Sequence, residues 1–219
     1  MKTKILSLIA CLFTSSLFAA HTNPGPRPSI VERSQWGARS PKCTISYMSA
    51  LNRAVIHHTA DSGQYRSTGL SYSKANVRGV QNYHMDVQGW CDVGYHFLVD
   101  KYGYIFAGRY NSAYAKPRGA HDAVNYNSFG FTAMGYFHPP YNNAPTWALR
   151  NSLWNVIAWK MPGGWSSYGG SVYTRSSEGR LTTHRDVGPT ACPGDKLYVY
   201  VGGNWYGGTA RSSVNARRR

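Results

Sequence analysis

Apolar residues recur along this chain with two different periods, and the points where the period changes outline its elements. The run RAVIHHTA is apolar and partly β-branched from Ala54 onward, then turns polar at HHTADSG. That pattern predicts a buried strand with His57 at its end, delivering side chains to a sheet edge. Over Ser73–Met85, Val77, Val80, Gln81 and His84 fall at helical spacing ahead of Gly89, which predicts an amphipathic helix. Gly94–Asp100 and Tyr104–Ala107 alternate large apolar residues about Lys101, Tyr102 and Gly103, the signature of a β-hairpin. SFGFTAMGY (128–136) reads as another strand, with small residues that let a neighbouring element come close. Helical periodicity returns over Thr146–Met161, where Leu149, Leu153, Val156, Ile157 and Met161 share a face and Pro162, Gly163 and Gly164 end it. A Gly/Ser-rich connection, the segment Thr182–Pro193 and a short apolar end around Leu197–Tyr200 complete the pattern. Strands alternating with helices predict an α/β sheet domain. The chain holds no internal repeat and no low-complexity block.

The two ends depart from this pattern. Lys2 and Lys4 precede an apolar stretch from Ile5 to Phe18, and Ala19 and Ala20 follow it, so residues 1–20 read as a secretory signal peptide. Leu8, Ile9, Ala10 and Cys11 also resemble a lipobox, but the apolar segment before Cys11 is very short and runs well past it. No other run approaches the roughly 20 apolar residues of a membrane span, so stable membrane insertion is not expected. HTNPGPRP (21–28) predicts a Pro-rich linker or extended arm, 29–206 a single domain, and 207–219 a basic tail. That tail ends Arg217, Arg218, Arg219 and is expected to be poorly ordered.

Composition changes the picture in two ways. With 42% hydrophobic and 14% aromatic residues, 219 residues suffice for one sizeable core. The net charge is +15; loss of Lys2 and Lys4 with the signal peptide leaves 22 basic against 9 acidic residues, or +13. Such a chain favours anionic polymers, and export to the periplasm or the exterior makes nucleic acid the least expected of them. Anionic wall polymers are the expected electrostatic partners of the basic surface and tail.

Removing Cys11 with the signal peptide leaves Cys43, Cys91 and Cys192, an odd count in an oxidising compartment. Three pairings are open. Cys43 with Cys91 is preferred, because Cys192 follows His184 within a Gly/Pro-punctuated loop suited to converging ligands. His57, His184 and Cys192 would form a three-ligand zinc site whose fourth tetrahedral position stays open, the arrangement of a hydrolytic centre. No H-E-x-x-H element occurs, so the glutamate base of helical metalloproteases is absent.

IVERSQWGAR, RAVIHHTA, VQNYHMDVQGWCDVGYHFLVDKYGYIFAGR, GAH and THRDVGPTACPGDKLY occur in that order between Ile30 and Tyr200. Together they resemble a peptidoglycan recognition protein, of the wider family of zinc N-acetylmuramoyl-L-alanine amidases that includes the phage T7-type lysozyme. The resemblance implies a mixed central β-sheet flanked by helices and a groove holding Zn²⁺ beside a glycan-linked peptide. It places the zinc ligands on His57, His184 and Cys192, and the catalytic tyrosine on Tyr95 in GYHF. Thr190 stands where animal amidases carry threonine and the phage enzymes lysine; its hydroxyl can donate to an oxyanion but brings no positive charge. Trp90, Arg109, His121 and Asn127 fall in segments that line or flank the family's groove. His58 reads as packing or support for a ligand, and His84 and His96 as structural.

The implied reaction is hydrolysis of the amide between N-acetylmuramic acid and L-alanine by a secreted, monomeric enzyme acting on bacterial peptidoglycan. One departure stands out: the cysteine pair common after HHT in animal recognition proteins is replaced by SGQYRSTGLSYSK. Three other readings compete: a non-catalytic receptor of the same fold, a cysteine peptidase with Cys192 as nucleophile and His184 as base, and a cationic adhesin.

Overall fold

The computed structural model describes residues 23–63, 69–122, 125–167, 180–201 and 209–219. The signal-peptide segment, the Gly/Ser-rich connection and the middle of SGQYRSTGLSYSK fall outside these residues, wholly or in large part. The described elements run α1 (Arg33–Trp36), β1 (Arg53–His58), α2 (Leu70–Asn82), β2 (Phe97–Val99), β3 (Ile105–Ala107), β4 (Ser128–Ala133), α3 (Trp147–Lys160), β5 (Leu181–Thr183), α4 (His184–Val187), α5 (Asp195–Val201) and α6 (Ala210–Asn215). A wide π-helical turn, Tyr83–Val87, continues α2.

Five strands form one mixed sheet in the order β3-β2-β4-β1-β5. β1 is parallel to both β4 and β5, β2 is parallel to β4, and only the hairpin β2–β3 is antiparallel. Central strands of this kind are covered on both faces, which is why every residue of β1 is buried and its sequence shows no alternation. Side-chain alternation still sorts β2 and β3 between two cores. Phe97, Val99 and Ile105 join Ile56, Phe131, Leu153 and Leu197 on the face packed by α3, α5 and α6. Leu98 and Phe106 join Trp36, Val77 and Val93 on the face packed by α1 and α2.

The expected elements are present with shifted ends. α2 begins at Leu70 and its helical path runs on through the π turn to Val87, beyond the expected Ser73–Met85. β2 is only Phe97–Val99, because Gly94 and Tyr95 leave the ladder: their carbonyls accept from Ala120 N and Arg109 N instead. Asp100 organises the hairpin turn, its Oδ1 accepting from Tyr102 N at 3.0 Å and Tyr104 N at 2.8 Å. α3 matches its expected span, with Thr146 Oγ1 accepting from Leu149 N at 3.1 Å as its N-cap. The pairing of Cys43 with Cys91 is present, with Cα atoms 5.2 Å apart, and leaves Cys192 unpaired.

The C-terminus differs most from expectation. Residues 210–215 are helical, with Ala210 and Val214 buried against α3. Arg218 is 2% exposed, and its guanidinium donates to the carbonyls of Ala158, Met161 and Pro162 at 2.7–3.1 Å. It thereby satisfies acceptors at the C-terminal end of α3, where a cation is favoured. Arg219 and Asn23 exchange backbone hydrogen bonds, which tie the C-terminal residue to the segment that leads into the domain. The charge run expected to be poorly ordered is thus used internally. Deleting residues 217–219 should cost about 2–4 kcal/mol, since a hydrogen bond from a charged donor is worth about 1.5–3 and the three on Arg218 share one guanidinium and are not additive. Urea unfolding of full-length and shortened chains measures this; equal midpoints would show the contacts to be idle.

Candidate functional site

The register of two parallel strands brings the first two candidate ligands together. Ile56 of β1 lies opposite Thr183 of β5. One residue further along each strand come His57 and His184, at the carboxyl ends where sites in parallel sheets gather. Their ring centroids are 4.7 Å apart. Thr183 and Asp186 form a capping box that turns the chain sharply from β5 into α4 at His184. Asp186 Oδ2 accepts from Thr183 N, Thr183 Oγ1 and Thr182 Oγ1, and Oδ1 from Tyr198 Oη, at 2.7–3.1 Å. The sequence THRD therefore fixes where His184 stands.

Cys192 reaches the same point by a short return loop. Arg185 N donates to Cys192 O at 2.9 Å, and Cys192 N to Thr190 Oγ1 at 3.2 Å. The sulfur accepts from His58 N at 3.3 Å and lies 3.7 Å from His57 Nδ1. His57, His184 and Cys192 each offer a donor atom within 4.8 Å of the other two. Zinc bound tetrahedrally at about 2.3 Å from sulfur and 2.0–2.1 Å from nitrogen separates those donors by about 3.5 Å, so the residues fit the ion.

Electrostatics favours the same reading. Burial, with the neighbouring histidines adding to it, pushes His57 well below its usual range, and burial likewise lowers His184. Both rings are neutral at physiological pH, the form that binds metal. Burial raises the Cys192 thiol to about 12. A bound dication overrides that by taking the thiolate directly. Without a cation, Cys192 is a poor nucleophile, which argues against the cysteine-peptidase chemistry.

Tyr95 stands beside the triad, its ring centroid 5.3 Å from that of His57. Burial, then the nearby Cys192 sulfur, raises its phenol above the usual 10, so it keeps its proton and serves as a donor rather than a base. It lines a cleft of about 340 Å³ with Thr59, Asp61, Asn76, Tyr83 and His84. A second cleft of about 400 Å³ is bordered by Trp90, Ala120, His121, Asp122, Asn125 and His184. Thr190 is exposed on the return loop.

Of the four substrate candidates, Trp90 and His121 border the second cleft. Arg109 lines neither cleft: it is 6% exposed and donates to Val93 O at 3.1 Å. Asn127 lies just before β4 with φ 55°, its backbone N–H donating to Met48 Sδ at 3.0 Å. His58 holds Cys192 through its backbone, and His96 is buried, bridging Pro117 O and Gly130 N. Asp122, unremarked in the sequence, is the residue that the fold adds to the site; its Oδ2 is 3.1 Å from His121 Nδ1 and 3.7 Å from His57 Nε2. The carboxylate directly after GAH was the available signal.

His84 supplies a pH test. Its Nδ1 accepts from Gly94 N at 3.1 Å, and its ring packs on Trp90 and Tyr95. Burial, then the charge of Arg109, lowers its pKa to about 4. The unfolded value is about 6.5, so folding binds fewer protons, and the stabilisation is complete above that pH and lost on acidification toward 4. The loss is up to about 3 kcal/mol for this residue. Urea midpoints across that window should fall with acid, and less steeply for His84→Gln; parallel curves would contradict the assignment.

Comparison with known proteins shows the family and the fold. The family model for N-acetylmuramoyl-L-alanine amidase matches residues 47–195. Peptidoglycan-recognition protein SC2 of Drosophila simulans is 33% identical over 211 residues, covering 94% of this chain and 99% of that protein. Peptidoglycan recognition protein 1 of Bos indicus is 34% identical over 177 residues, covering 79% and 82%. Among solved structures, Drosophila peptidoglycan recognition protein SD superposes with a TM-score of 0.62 at 27% identity, covering 78% of this chain and 92% of that one. Peptidoglycan recognition protein LE, solved in complex with tracheal cytotoxin, a monomeric diaminopimelic acid-type peptidoglycan, gives 0.61 at 26% identity, covering 77% and 89%.

Proposed function

Because this chain belongs to the N-acetylmuramoyl-L-alanine amidase family, among the peptidoglycan recognition proteins, we propose that it is a secreted zinc amidase that cleaves N-acetylmuramate from L-alanine in bacterial peptidoglycan. One observation carries the catalytic half of this reading. Cys192, the free cysteine among the described residues, is buried with its sulfur converging on two neutral imidazoles. A structural role for the cysteine alone would not require both histidines at the carboxyl ends of adjacent strands.

When bound, zinc supplies a Lewis acid for the scissile carbonyl and acidifies a water. The chain's own residues do the rest. Neutral His57 and His184 and the Cys192 thiolate would hold the ion, three donors of the kind that a catalytic zinc takes. Tyr95 keeps its proton and donates a hydrogen bond to the oxygen on which charge develops. Thr190 Oγ1, which steadies Cys192 N, still carries a hydroxyl proton to offer. The two clefts beside the triad give the glycan and the stem peptide places to lie, with Trp90 offering a flat apolar surface to a sugar. Secretion rests on the charged and apolar N-terminus; among the described residues no helix is long and apolar enough to cross a membrane.

Digestion of purified peptidoglycan, with product masses read with and without a chelator, tests the function. Free stem peptides beginning with L-alanine and glycan bearing intact muramic acid are expected, lost with chelator and restored by zinc. Saturable binding with no release would instead make the chain a receptor, the property its relatives' names describe.

A further inference from the structure

His57 is engaged from both sides. Nδ1 faces Cys192 Sγ at 3.7 Å, while Nε2 lies 3.0 Å from His121 Nδ1 and 3.7 Å from Asp122 Oδ2. We propose that Asp122, acting with His121, is a positioning residue for His57: the pair holds the Nε2 hydrogen and so keeps Nδ1 bare toward the cation. This rests on the zinc reading above.

The argument is one of hydrogen placement in a closed space. A neutral imidazole carries one hydrogen, on either nitrogen. On Nδ1 it would point at Cys192 and stand where the ion must bind. On Nε2 it points toward His121 and Asp122. Of these neighbours only the carboxylate is purely an acceptor; His121 Nδ1, at 3.0 Å, accepts as well when that ring's own hydrogen is on Nε2. Asp122 is buried beside both rings, with its side chain 1% exposed and Oδ2 3.1 Å from His121 Nδ1; at 3.7 Å from His57 Nε2 it acts on that ring through its charge rather than through a hydrogen bond. A metal-bound histidine held through its other nitrogen by a carboxylate is a general device for fixing tautomer and ring angle.

The surroundings fix the pair in turn. Asn125 Oδ1 accepts from His121 N at 2.6 Å and Asp122 N at 3.2 Å, and Asn125 Nδ2 donates to Asp122 O. Ser128 Oγ lies 3.3 Å from His121 Nε2. The His121 ring fits between two glycines: a Cβ on Gly119 would come within 2.5 Å of its Cδ2, and one on Gly130 within 2.7 Å of its Cγ. The small residue foreseen in β4 thus makes room for a ring that backs a metal ligand. His57 is 0% exposed, so bulk solvent does not compete for its Nε2 hydrogen.

Zinc affinity of the full-length protein, measured by competition with a chromophoric chelator, tests this without reference to turnover. Asp122→Asn and Asp122→Ala should bind zinc about 10–100-fold more weakly than the unmodified protein, still at one ion per chain. Asp122→Glu should recover part of the loss. The cobalt-substituted spectrum should change in Asp122→Asn while keeping its sulfur-to-metal band, a shift that a purely structural role would not produce. Circular dichroism of each variant identifies any that fails to fold, and Asp122→Glu then carries the comparison. Affinities within threefold of the unmodified protein would overturn the proposal and leave the amidase reading intact. Two ions per chain would also overturn it, since Asp122, His121 and His57 would then be ligands of a second metal. Failure of the unmodified protein to bind zinc would remove both.

Discussion

Cys192→Ser is expected to abolish peptidoglycan hydrolysis, lowering the rate at least about a thousandfold, while the chain still folds. The size follows from what the residue supplies. A Lewis acid at the carbonyl is worth several kcal/mol in the transition state, and each 1.36 kcal/mol is tenfold in rate. Serine keeps a polar atom to accept from His58 N but stays a neutral alcohol, so the ion loses its one anionic ligand. The structural cost is small, because Cys192 makes no disulfide and the side chains are close in volume. Product release, zinc content and circular dichroism should be measured on one preparation. Undiminished hydrolysis in Cys192→Ser would sink the metal mechanism.

Tyr95→Phe is the second large effect, expected to reduce kcat about 10²–10³-fold with zinc affinity unchanged. The variant keeps the ring that packs near His57 and His84, with centroids at 5.3 and 5.2 Å, and removes only the hydroxyl. A donor aimed at developing charge contributes about that factor. Because the phenol is held protonated, loss of its hydrogen bond should appear in kcat rather than KM. The pH profile of the unmodified enzyme should show no limb from a tyrosine ionising near neutrality. A variant with normal kcat, or one that loses zinc, would place Tyr95 in the packing instead.

Much of the site was readable before the fold because its parts carry strong local signals. HHT closes an apolar run, so His57 had to end a strand. THRD contains its own capping box, which Thr183 and Asp186 form. The odd cysteine count left one thiol to explain, and Cys43–Cys91 proved to be the pair. Arg109 was harder to judge: a cation in a family motif suggests groove contact, yet its guanidinium turns inward to Val93 O. Direction of a long side chain is set by packing, and spacing along the chain says nothing of it.

The basic C-terminus shows the same limit. A run of arginines has no apolar periodicity and reads as poorly ordered, whereas Arg218 is buried at the end of α3 among carbonyls that need donors. That need exists only once α3 and α6 are packed. Asp122 is a parallel case: alone after GAH it is one more polar loop residue, and its importance comes from the 3.1 and 3.7 Å distances to two rings.

By itself, the sequence determined the order and kind of most elements through residue type and short-range periodicity, and the family and the three metal-ligand candidates through the resemblance that its motifs carry. Tertiary structure decided which nitrogen of His57 faces the sulfur, which carboxylate backs it, and where the terminal arginines go. These are contacts between residues far apart in the chain, created by strand register and close packing, and no local pattern encodes them.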